Sequence, residues 1–268
     1  MIGDEVIIDG LRLAVRHAGD GRPFLFIHGL CGDAGQTQEV FPEVAGWRCI
    51  TPECRGHGGS DFGDAAALSI AQFTTDMVRL AKGLDGPAPV IGGISMGAAI
   101  ALRAAALHPA IFSGLVLARP AWVDRPAPDN LVPHRMIAHD LATLGPAAAR
   151  QKFEASDMAR RIAEQAPDNM TSYHGFFERQ PTGQTQALLA AIAQDSPGIG
   201  RDAISAIDLP TLVIGCRRDL AHPIAMAEEL AALIPQARLA EITPKSDNRE
   251  RYVRDFRAAI GRFLKEMS

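Results

Sequence analysis

The chain has 268 residues, of which 47% are hydrophobic, and a formal net charge of −4. A chain of this length and apolar content can bury one large core, which excludes a disordered or fibrous protein. Lysine and arginine residues are scattered along the sequence, so it lacks the clustered basic footprint of a nucleic-acid-binding protein. We therefore expect the partner to be a small-molecule substrate.

Targeting signals and ligand clusters are missing from the sequence. The opening residues, MIGDEVIIDG, contain no positively charged segment followed by an apolar one, and no apolar run approaches the ~20 residues that span a bilayer. We expect a cytoplasmic protein without membrane contacts. No group of residues implies a metal or an organic cofactor. The cysteines are widely spaced, which favours reduced thiols over disulfides: Cys31, Cys49, Cys54 and Cys216.

Short apolar runs and helical periodicity alternate along most of the chain. Alternation of this kind predicts an α/β fold with a mostly parallel sheet covered by helices on both faces. The Asp9-Gly10 turn predicts that the first two strands form an antiparallel edge. Predicted strands span residues 6–8, 12–17, 24–27, 48–51, 90–94, 115–118, 211–215 and 239–242, and predicted helices span residues 70–84, 96–107, 224–233 and 252–264.

The pattern changes between residues 121 and 200, where helical segments are broken by seven prolines and no convincing strand occurs. We interpret this segment as a helical cap inserted over the carboxyl ends of the strands. The expected core then comprises residues 1–120 and 201–268.

The strongest functional motif is Gly93–Gly97 (GISMG), a G-x-S-x-G between a predicted strand and a predicted helix. This context is what a nucleophile elbow requires, because Ser95 would sit on a strained turn while the two glycines allow close backbone approach. The helix that begins at this point favours developing negative charge. Ser95 is therefore the predicted nucleophile, and an incidental serine in a glycine-rich turn is the alternative.

A second motif, residues 24–32 (FLFIHGLCG), is an apolar strand that runs into a His-Gly loop. The backbone N–H groups of Leu30 and Met96 could converge there as an oxyanion hole, which needs no particular side chain. His28 and Gly29 are candidate substrate-binding residues. For His28 we favour a different role, in which the ring hydrogen-bonds the loop itself.

Two further segments complete a resemblance to a known family. Residues 52–61 (PECRGHGGSD) are similar to a D-x-R-G-x-G-x-S loop, with Glu53 and Cys54 departing from it, and residues 210–219 (PTLVIGCRRD) are similar to the strand that delivers a catalytic acid. Together with the two motifs above, the chain resembles the α/β-hydrolase superfamily, in its cap-bearing esterase, lactonase and C–C hydrolase branch. The resemblance implies an eight-stranded sheet, Ser95 as nucleophile, Leu30 and Met96 as oxyanion donors, and Asp219 as acid; Asp124 is a weaker candidate for the acid.

The family's histidine, expected after the last strand, is absent. That loop reads TPKSDN over residues 243–248, and no histidine follows His222. Ser246 or Asp247 occupies the vacant position, and neither can exchange a proton near neutral pH as imidazole does. His222, close to Asp219 in sequence, is the candidate relocated base, although a turn that starts the next helix is the simpler interpretation. The other candidates are His134, His139, His174 and Lys245, whereas His17, His57 and His108 are interpreted as strand-surface, loop and helix-terminus residues.

Three functions remain open at this point. The favoured hypothesis is a hydrolase of a small ester, thioester or lactone that uses Ser95 with an unconventional base. The alternatives are a hydrolase-fold protein that binds a small molecule without turnover, and lyase or isomerase chemistry in which the oxyanion hole stabilises an enolate. The sequence does not determine the oligomeric state, and a homodimer formed through the cap is one alternative.

Overall fold

The computed structural model describes residues 4–267. Within this range eight strands form one sheet in the order β1-β2-β4-β3-β5-β6-β7-β8. The pairs β1–β2 and β2–β4 are antiparallel and all other neighbouring pairs are parallel, so the predicted mostly parallel sheet is confirmed. The strands are β1 (Glu5–Ile8), β2 (Leu11–Gly19), β3 (Arg22–Ile27), β4 (Trp47–Pro52), β5 (Val90–Ile94), β6 (Gly114–Ala118), β7 (Thr211–Gly215) and β8 (Ala237–Glu241).

Helices occupy most of the remaining chain. They are α1 (Ala34–Val40), α2 (Ile70–Lys82), α3 (Met96–Leu107), α4 (Val132–Leu144), α5 (Pro146–Glu154), α6 (Asp157–Gln165), α7 (Pro167–Glu178), α8 (Thr182–Ile192), α9 (Arg201–Ser205), α10 (Ile224–Leu233) and α11 (Arg249–Glu266). Short 3₁₀ helices span Ala65–Ala67, Pro109–Ile111 and Asp129–Leu131.

The central strands are buried because helices cover both faces of the sheet. All residues of β5, β6 and β7 are buried, which explains why these segments are almost entirely apolar rather than alternating. One core cluster joins the sheet to α2, α3 and α10, and a second joins the other face to α1 and α11. The predicted covering of both faces is confirmed.

The five helices α4–α8, which we call the inserted helices, lie between β6 and β7 in the sequence. They have an apolar cluster of their own that includes Phe153, Tyr173 and Phe177, and against which Leu30 and Leu220 of the sheet-edge loops pack. The expected core boundaries include residues 1–3 and 268, which lie outside the described residues. Between residues 4 and 267 no helix combines the length and apolarity needed to cross a membrane.

Some element boundaries differ from those predicted. Helix α2 ends at Lys82 because Gly83 follows as its C-cap. Helix α11 begins at Arg249, three residues earlier than expected, because the Asn248 side chain accepts a hydrogen bond from the backbone N–H of Arg251. Helix α1 was not predicted; its start is set by Asp33, whose side chain accepts a hydrogen bond from Gly35.

The strand order brings the loops after β5, β6 and β7 to one edge of the sheet. Ser95 donates its backbone N–H to the carbonyl oxygen of Ala118 at 3.0 Å, and Arg119 donates its N–H to that of Ile214 at 2.7 Å. Parallel strands lie ~4.8 Å apart, so residues that follow β5 and β7 are separated by about two strand spacings. Side chains from all three loops can therefore meet above this edge.

A buried ion pair anchors the loop that follows β4. The guanidinium of Arg55 donates to both carboxylate oxygens of Asp76 in α2, at 2.6 and 2.9 Å, and both side chains are almost fully buried. Gln72 donates a further hydrogen bond to the same carboxylate. Because both side chains are shielded from water, removal of one partner would leave the charge of the other without a compensating group.

We predict that Asp76→Ala lowers the free energy of unfolding by about 3–5 kcal/mol, because it leaves the buried Arg55 charge without a counter-ion. Urea denaturation followed by circular dichroism measures this change. The matched control is Glu241→Ala, which removes the exposed ion pair with Arg217 and should cost about 1 kcal/mol or less. Equal losses for the two variants would show that the Arg55–Asp76 pair does not hold the loop.

Candidate active site

Ser95 connects β5 to α3 in a backbone conformation that residues other than glycine rarely adopt. Its backbone has φ 56° and ψ −110°. A positive φ at a residue other than glycine costs about 1–3 kcal/mol, and such strain is concentrated at functional sites. The half-buried serine hydroxyl makes no hydrogen bond within residues 4–267, so it is available to a ligand.

The two glycines of the motif are required by close packing. A Cβ at Gly93 would lie 2.1 Å from the backbone carbon of Gly97, and a Cβ at Gly97 would lie 2.2 Å from the carbonyl oxygen of Ile27. The turn therefore presses against the loop after β3. A Cβ at Gly29 would lie 3.4 Å from the Ser95 Cβ, so Gly29 directly adjoins the serine.

The backbone groups expected to form an oxyanion hole lie in this contact region. The N–H of Gly29 donates to Gln36 Oε1 and that of Cys31 donates to His57 Nε2, whereas Leu30, between them, has no backbone hydrogen bond in the described part of the chain. Met96 is the first residue of α3, where an N–H has no intrahelical acceptor. Both N–H groups are therefore without an acceptor among residues 4–267, and their role as an oxyanion hole stays a prediction.

Two buried histidines hold the loop after β3 against the loop after β4. His28 Nε2 accepts from the backbone N–H of Cys54 at 3.0 Å, and His57 Nε2 accepts from that of Cys31 at 3.0 Å. Each Nδ1 then donates to a backbone oxygen, of Gly29 and Arg55 respectively, both at 2.8 Å. Burial lowers the pKa of both rings, in keeping with these neutral tautomers.

The His28 ring therefore supports the loop, as the favoured interpretation held, and has no nitrogen left for a substrate. Glu53, which departs from the family wording, supports the same loops: its carboxylate accepts from the N–H groups of Ala34 and Gly59 at 3.1 and 2.6 Å. A Cβ at Gly58 would lie 2.1 Å from the Glu53 carboxylate carbon. The longer acid is thus accommodated because glycine follows it in this loop.

Asp219 and His222 form an acid–histidine pair in the loop after β7. His222 Nδ1 lies 3.0 Å from each carboxylate oxygen of Asp219, and the backbone N–H of His222 donates to Oδ1 at 3.1 Å. The carboxylate thus holds the ring through Nδ1. The opposite nitrogen, Nε2, makes no hydrogen bond to any residue from 4 to 267.

Two further side chains fix the buried Asp219 carboxylate. Arg119, directly after β6, donates from Nε to Oδ2 at 2.7 Å, and Asn169 of α7 donates from Nδ2 to Oδ1 at 3.0 Å. Burial alone would raise the pKa of Asp219, but Arg119, His222 and Asn169 together hold it well below its usual range. The carboxylate is therefore ionised and can stabilise a protonated imidazole.

Comparison with known proteins decides the family of this chain. Residues 22–245 match the family model of the alpha/beta hydrolase fold. The chain belongs to the α/β-hydrolase fold family.

Individual α/β-hydrolase relatives carry several activities in their names. The chain is 28% identical over 241 residues to a protein named putative non-heme bromoperoxidase BpoC from Mycobacterium tuberculosis, and the match covers 87% of this chain and 89% of the relative. Among solved structures it resembles an esterase from Exiguobacterium antarcticum (TM-score 0.74, 20% identity, 98% and 100% coverage). It also resembles an enol-lactonase from Burkholderia xenovorans LB400 (TM-score 0.72, 23% identity, 97% and 99% coverage). These two structural likenesses support the fold alone.

In this α/β-hydrolase the loop after β8 forms ion pairs at the place where a histidine was expected. Lys245 Nζ lies 3.2 Å from Asp168 of α7, and Asp247 accepts from Arg218 at 2.9 Å. Lys245 is thus engaged by a carboxylate. Ser246, the other residue near the vacant position, is directed to the neighbouring Asp247, with its hydroxyl 3.4 Å from that carboxylate.

Within the described residues, none of the other candidate histidines makes a hydrogen bond or ion pair with Asp219, and neither does the alternative acid with a histidine. His139 is exposed on α4, and His174 Nε2 lies 3.1 Å from Glu154. His134 is buried among aromatic rings of the inserted helices. Asp124 forms no ion pair with a histidine anywhere in residues 4–267.

Sequence reasoning missed Arg119 and Asn169. Arg119 follows an apolar strand at the same edge as Ser95, which is a signal that could have drawn attention to it. Asn169 carried no such signal, because its role depends on how α7 packs. Its Oδ1 accepts from the backbone N–H groups of Leu220 and Ala221 at 2.8 and 3.0 Å, so it fixes both the acid and the loop that carries it.

We predict that Asn169→Asp makes stability depend on pH. Burial beside the ionised Asp219 raises the pKa of the new carboxyl group above the unfolded value of ~3.9. When protonated, this group can donate to Asp219 as the amide does. Its contribution is complete below the unfolded pKa and is lost as the pH rises through the folded pKa.

The melting temperature of Asn169→Asp should therefore fall further below that of the wild type at pH 8 than at pH 5, as differential scanning fluorimetry can measure. Ser172→Asp, on the exposed side of the same helix, is the control and should show no such widening. A deficit that is constant across this pH range would contradict the contact between Asn169 and Asp219.

Proposed function

We propose that this protein is a serine hydrolase that cleaves small esters, thioesters or lactones, with Ser95 as nucleophile and His222 as base. The observation that carries the proposal is the hydrogen bond between Asp219 and His222 Nδ1. It leaves Nε2 as the free nitrogen, and in a catalytic triad that is the nitrogen that takes the serine proton. The base has thus moved from the loop after β8 to the loop after β7.

The proposed reaction proceeds in two steps, acylation of Ser95 and hydrolysis of the acyl-enzyme. The Ser95 oxygen attacks the substrate carbonyl carbon while His222 Nε2 takes its proton, and the N–H groups of Leu30 and Met96 stabilise the oxyanion. His222 then returns the proton to the departing alcohol or thiol as the acyl-enzyme forms. In the second step water attacks, its proton passes through His222, and Ser95 and the carboxylic acid are released.

This proposal requires Ser95 Oγ and His222 Nε2 to meet when substrate binds. The two atoms are not hydrogen-bonded to each other in the structure, and catalytic hydrogen bonds commonly tighten only in the substrate complex. Their loops follow β5 and β7 at one sheet edge, about two strand spacings apart. The proposal therefore requires the His222 imidazole to span this separation, past Arg119, when substrate binds.

We further propose that the inserted helices α4–α8 act as a cap that selects the substrate. Their apolar cluster packs against Leu30 and Leu220, which belong to the two loops that flank Ser95 and His222. The substrate would therefore bind between this cluster and the sheet edge. The names of two similar proteins, an esterase and an enol-lactonase, support an ester or a lactone as the substrate.

A second candidate function is small-molecule binding without hydrolysis, or lyase or isomerase chemistry that stabilises an enolate. The hydrogen bond from the Arg119 guanidinium to Asp219 favours this second candidate. A carboxylate that is already paired with a cation stabilises a protonated imidazole less. In either case the Leu30 and Met96 donors would still bind an oxygen atom.

We predict that a fluorophosphonate probe labels the wild-type protein at Ser95, as mass spectrometry of the labelled peptide would show. Ser95→Ala and His222→Ala should each lower the turnover of p-nitrophenyl acetate by about 10⁶-fold, because nucleophile and base act as a unit. His139→Ala, which removes an exposed histidine of α4, is the matched control and should retain wild-type turnover.

Two contrary outcomes would separate the hypotheses. Labelling that persists at the wild-type rate in His222→Ala would overturn His222 as the base while retaining Ser95. Folded wild-type protein that neither labels nor turns over the ester would overturn the hydrolase proposal in favour of the second candidate.

A further inference from the structure

Two buried side chains of the inserted helices carry a polar atom that has neither a hydrogen bond nor an ion pair within the described residues. His134 in α4 and Tyr173 in α7 are 8% and 1% exposed. Within the described residues, neither His134 Nδ1 nor the Tyr173 hydroxyl has a hydrogen-bond partner. The two rings touch edge to face, with centroids 5.2 Å apart. Buried polar groups without partners cost free energy and are rare in native proteins.

Packing alone does not require these polar atoms. The positions around them are filled by phenylalanine: Phe176 lies 5.4 Å from the His134 ring and Phe153 lies 5.7 Å from the Tyr173 ring, centroid to centroid. Phe177 belongs to the same cluster. A phenylalanine at position 173 would fill the same space without burying a hydroxyl group.

The pair lies on the side of the inserted helices that faces the catalytic loops. Tyr173 is one helical turn from Asn169, at the i, i+4 spacing that places two side chains on one face, and Asn169 contacts Asp219. The apolar cluster that contains Tyr173 packs against Leu30 and Leu220. The unpartnered atoms are therefore close to the space where a substrate of Ser95 would extend.

The chemistry of the pair selects an uncharged ligand group. Burial, with smaller contributions from His222 and Arg135, lowers the pKa of His134 to about 3, so the imidazole is neutral at neutral pH. Burial and the Asp219 charge raise the pKa of Tyr173, so the phenol keeps its proton. A neutral N–H or O–H donor can satisfy a carbonyl or hydroxyl oxygen, whereas a carboxylate would be buried without a compensating charge.

We propose that His134 and Tyr173 form a polar subsite that binds an uncharged carbonyl or hydroxyl oxygen of the substrate, distinct from the reacting carbonyl. This inference rests on the proposed function only in placing the substrate beside Ser95. Both atoms are closed to solvent in the structure, so the oxygen enters when α4 and α7 separate.

Binding to Ser95→Ala protein tests the subsite without requiring turnover. Isothermal titration calorimetry compares ethyl hexanoate with ethyl 4-oxohexanoate and ethyl 5-oxohexanoate, which differ from it by one ketone. We expect at least one oxo ester to bind about tenfold more tightly than ethyl hexanoate. This advantage should disappear in Ser95→Ala/Tyr173→Phe and persist in Ser95→Ala/Ser172→Ala, a control on the exposed side of the same helix.

A stability measurement makes the second test. The chain has two tyrosines, and the hydroxyl of the other, Tyr252, accepts a hydrogen bond from Arg119. Tyr173→Phe should leave the melting temperature unchanged or raise it, whereas Tyr252→Phe should lower it, because only the second variant removes a hydrogen bond made within the protein.

The subsite proposal is overturned if no oxo ester binds more tightly than ethyl hexanoate, or if the tighter binding persists in Tyr173→Phe. It is also overturned if the melting temperature of Tyr173→Phe lies as far below that of the wild type as the melting temperature of Tyr252→Phe does. Failure of the hydrolase proposal gives a different result: the wild type does not turn over any of the three esters, while the affinity gain and its loss in Tyr173→Phe remain.

Discussion

The buried carboxylate of Asp219 is the interaction on which the site depends. An ionised carboxylate away from water is costly unless it is paired and hydrogen-bonded. Its partners come from three separate segments: Arg119 after β6, Asn169 in α7, and His222 in its own loop. Satisfying one charge therefore fixes the sheet edge, the inserted helices and the acid–histidine pair relative to one another.

A comparable constraint operates on the turn that carries Ser95. The turn at Ser95 is held in its unusual conformation because Gly97 packs against the carbonyl of Ile27, and the loop that follows Ile27 is fixed in turn by His28 and His57. Neutral, fully buried imidazoles are suited to this task, since each can donate and accept one hydrogen bond in a fixed plane. The backbone N–H groups of Leu30 and Met96, which we propose as an oxyanion hole, would thereby be positioned before any substrate arrives, as preorganised stabilisation requires.

The sequence predicted those parts of the molecule that local patterns determine. Apolar strands such as Val90–Ile94, helices with clear stop signals, and the Gly93–Gly97 motif were placed correctly because each depends on residues close together in the chain. The Asp219–His222 contact was anticipated only as one alternative, since a spacing of three residues allows a pairing without requiring it. The contacts of Arg119 and Asn169 with Asp219 span 100 and 50 residues, so no local pattern could indicate them.

Placing acid and histidine in one loop changes how the site responds to motion. When the two residues come from different loops, a shift of either loop breaks their contact. Here the backbone N–H of His222 also binds Asp219, so the pair moves as a unit. Asn169 then becomes the link through which movement of α7 reaches this unit, because it binds both the carboxylate and the backbone of Leu220. If the inserted helices open to admit substrate, as the proposed cap role requires, that movement would release the loop of Asp219 and His222, and closing over a ligand would restore it. Under the proposed mechanism, substrate enclosure is thereby coupled to the position of His222.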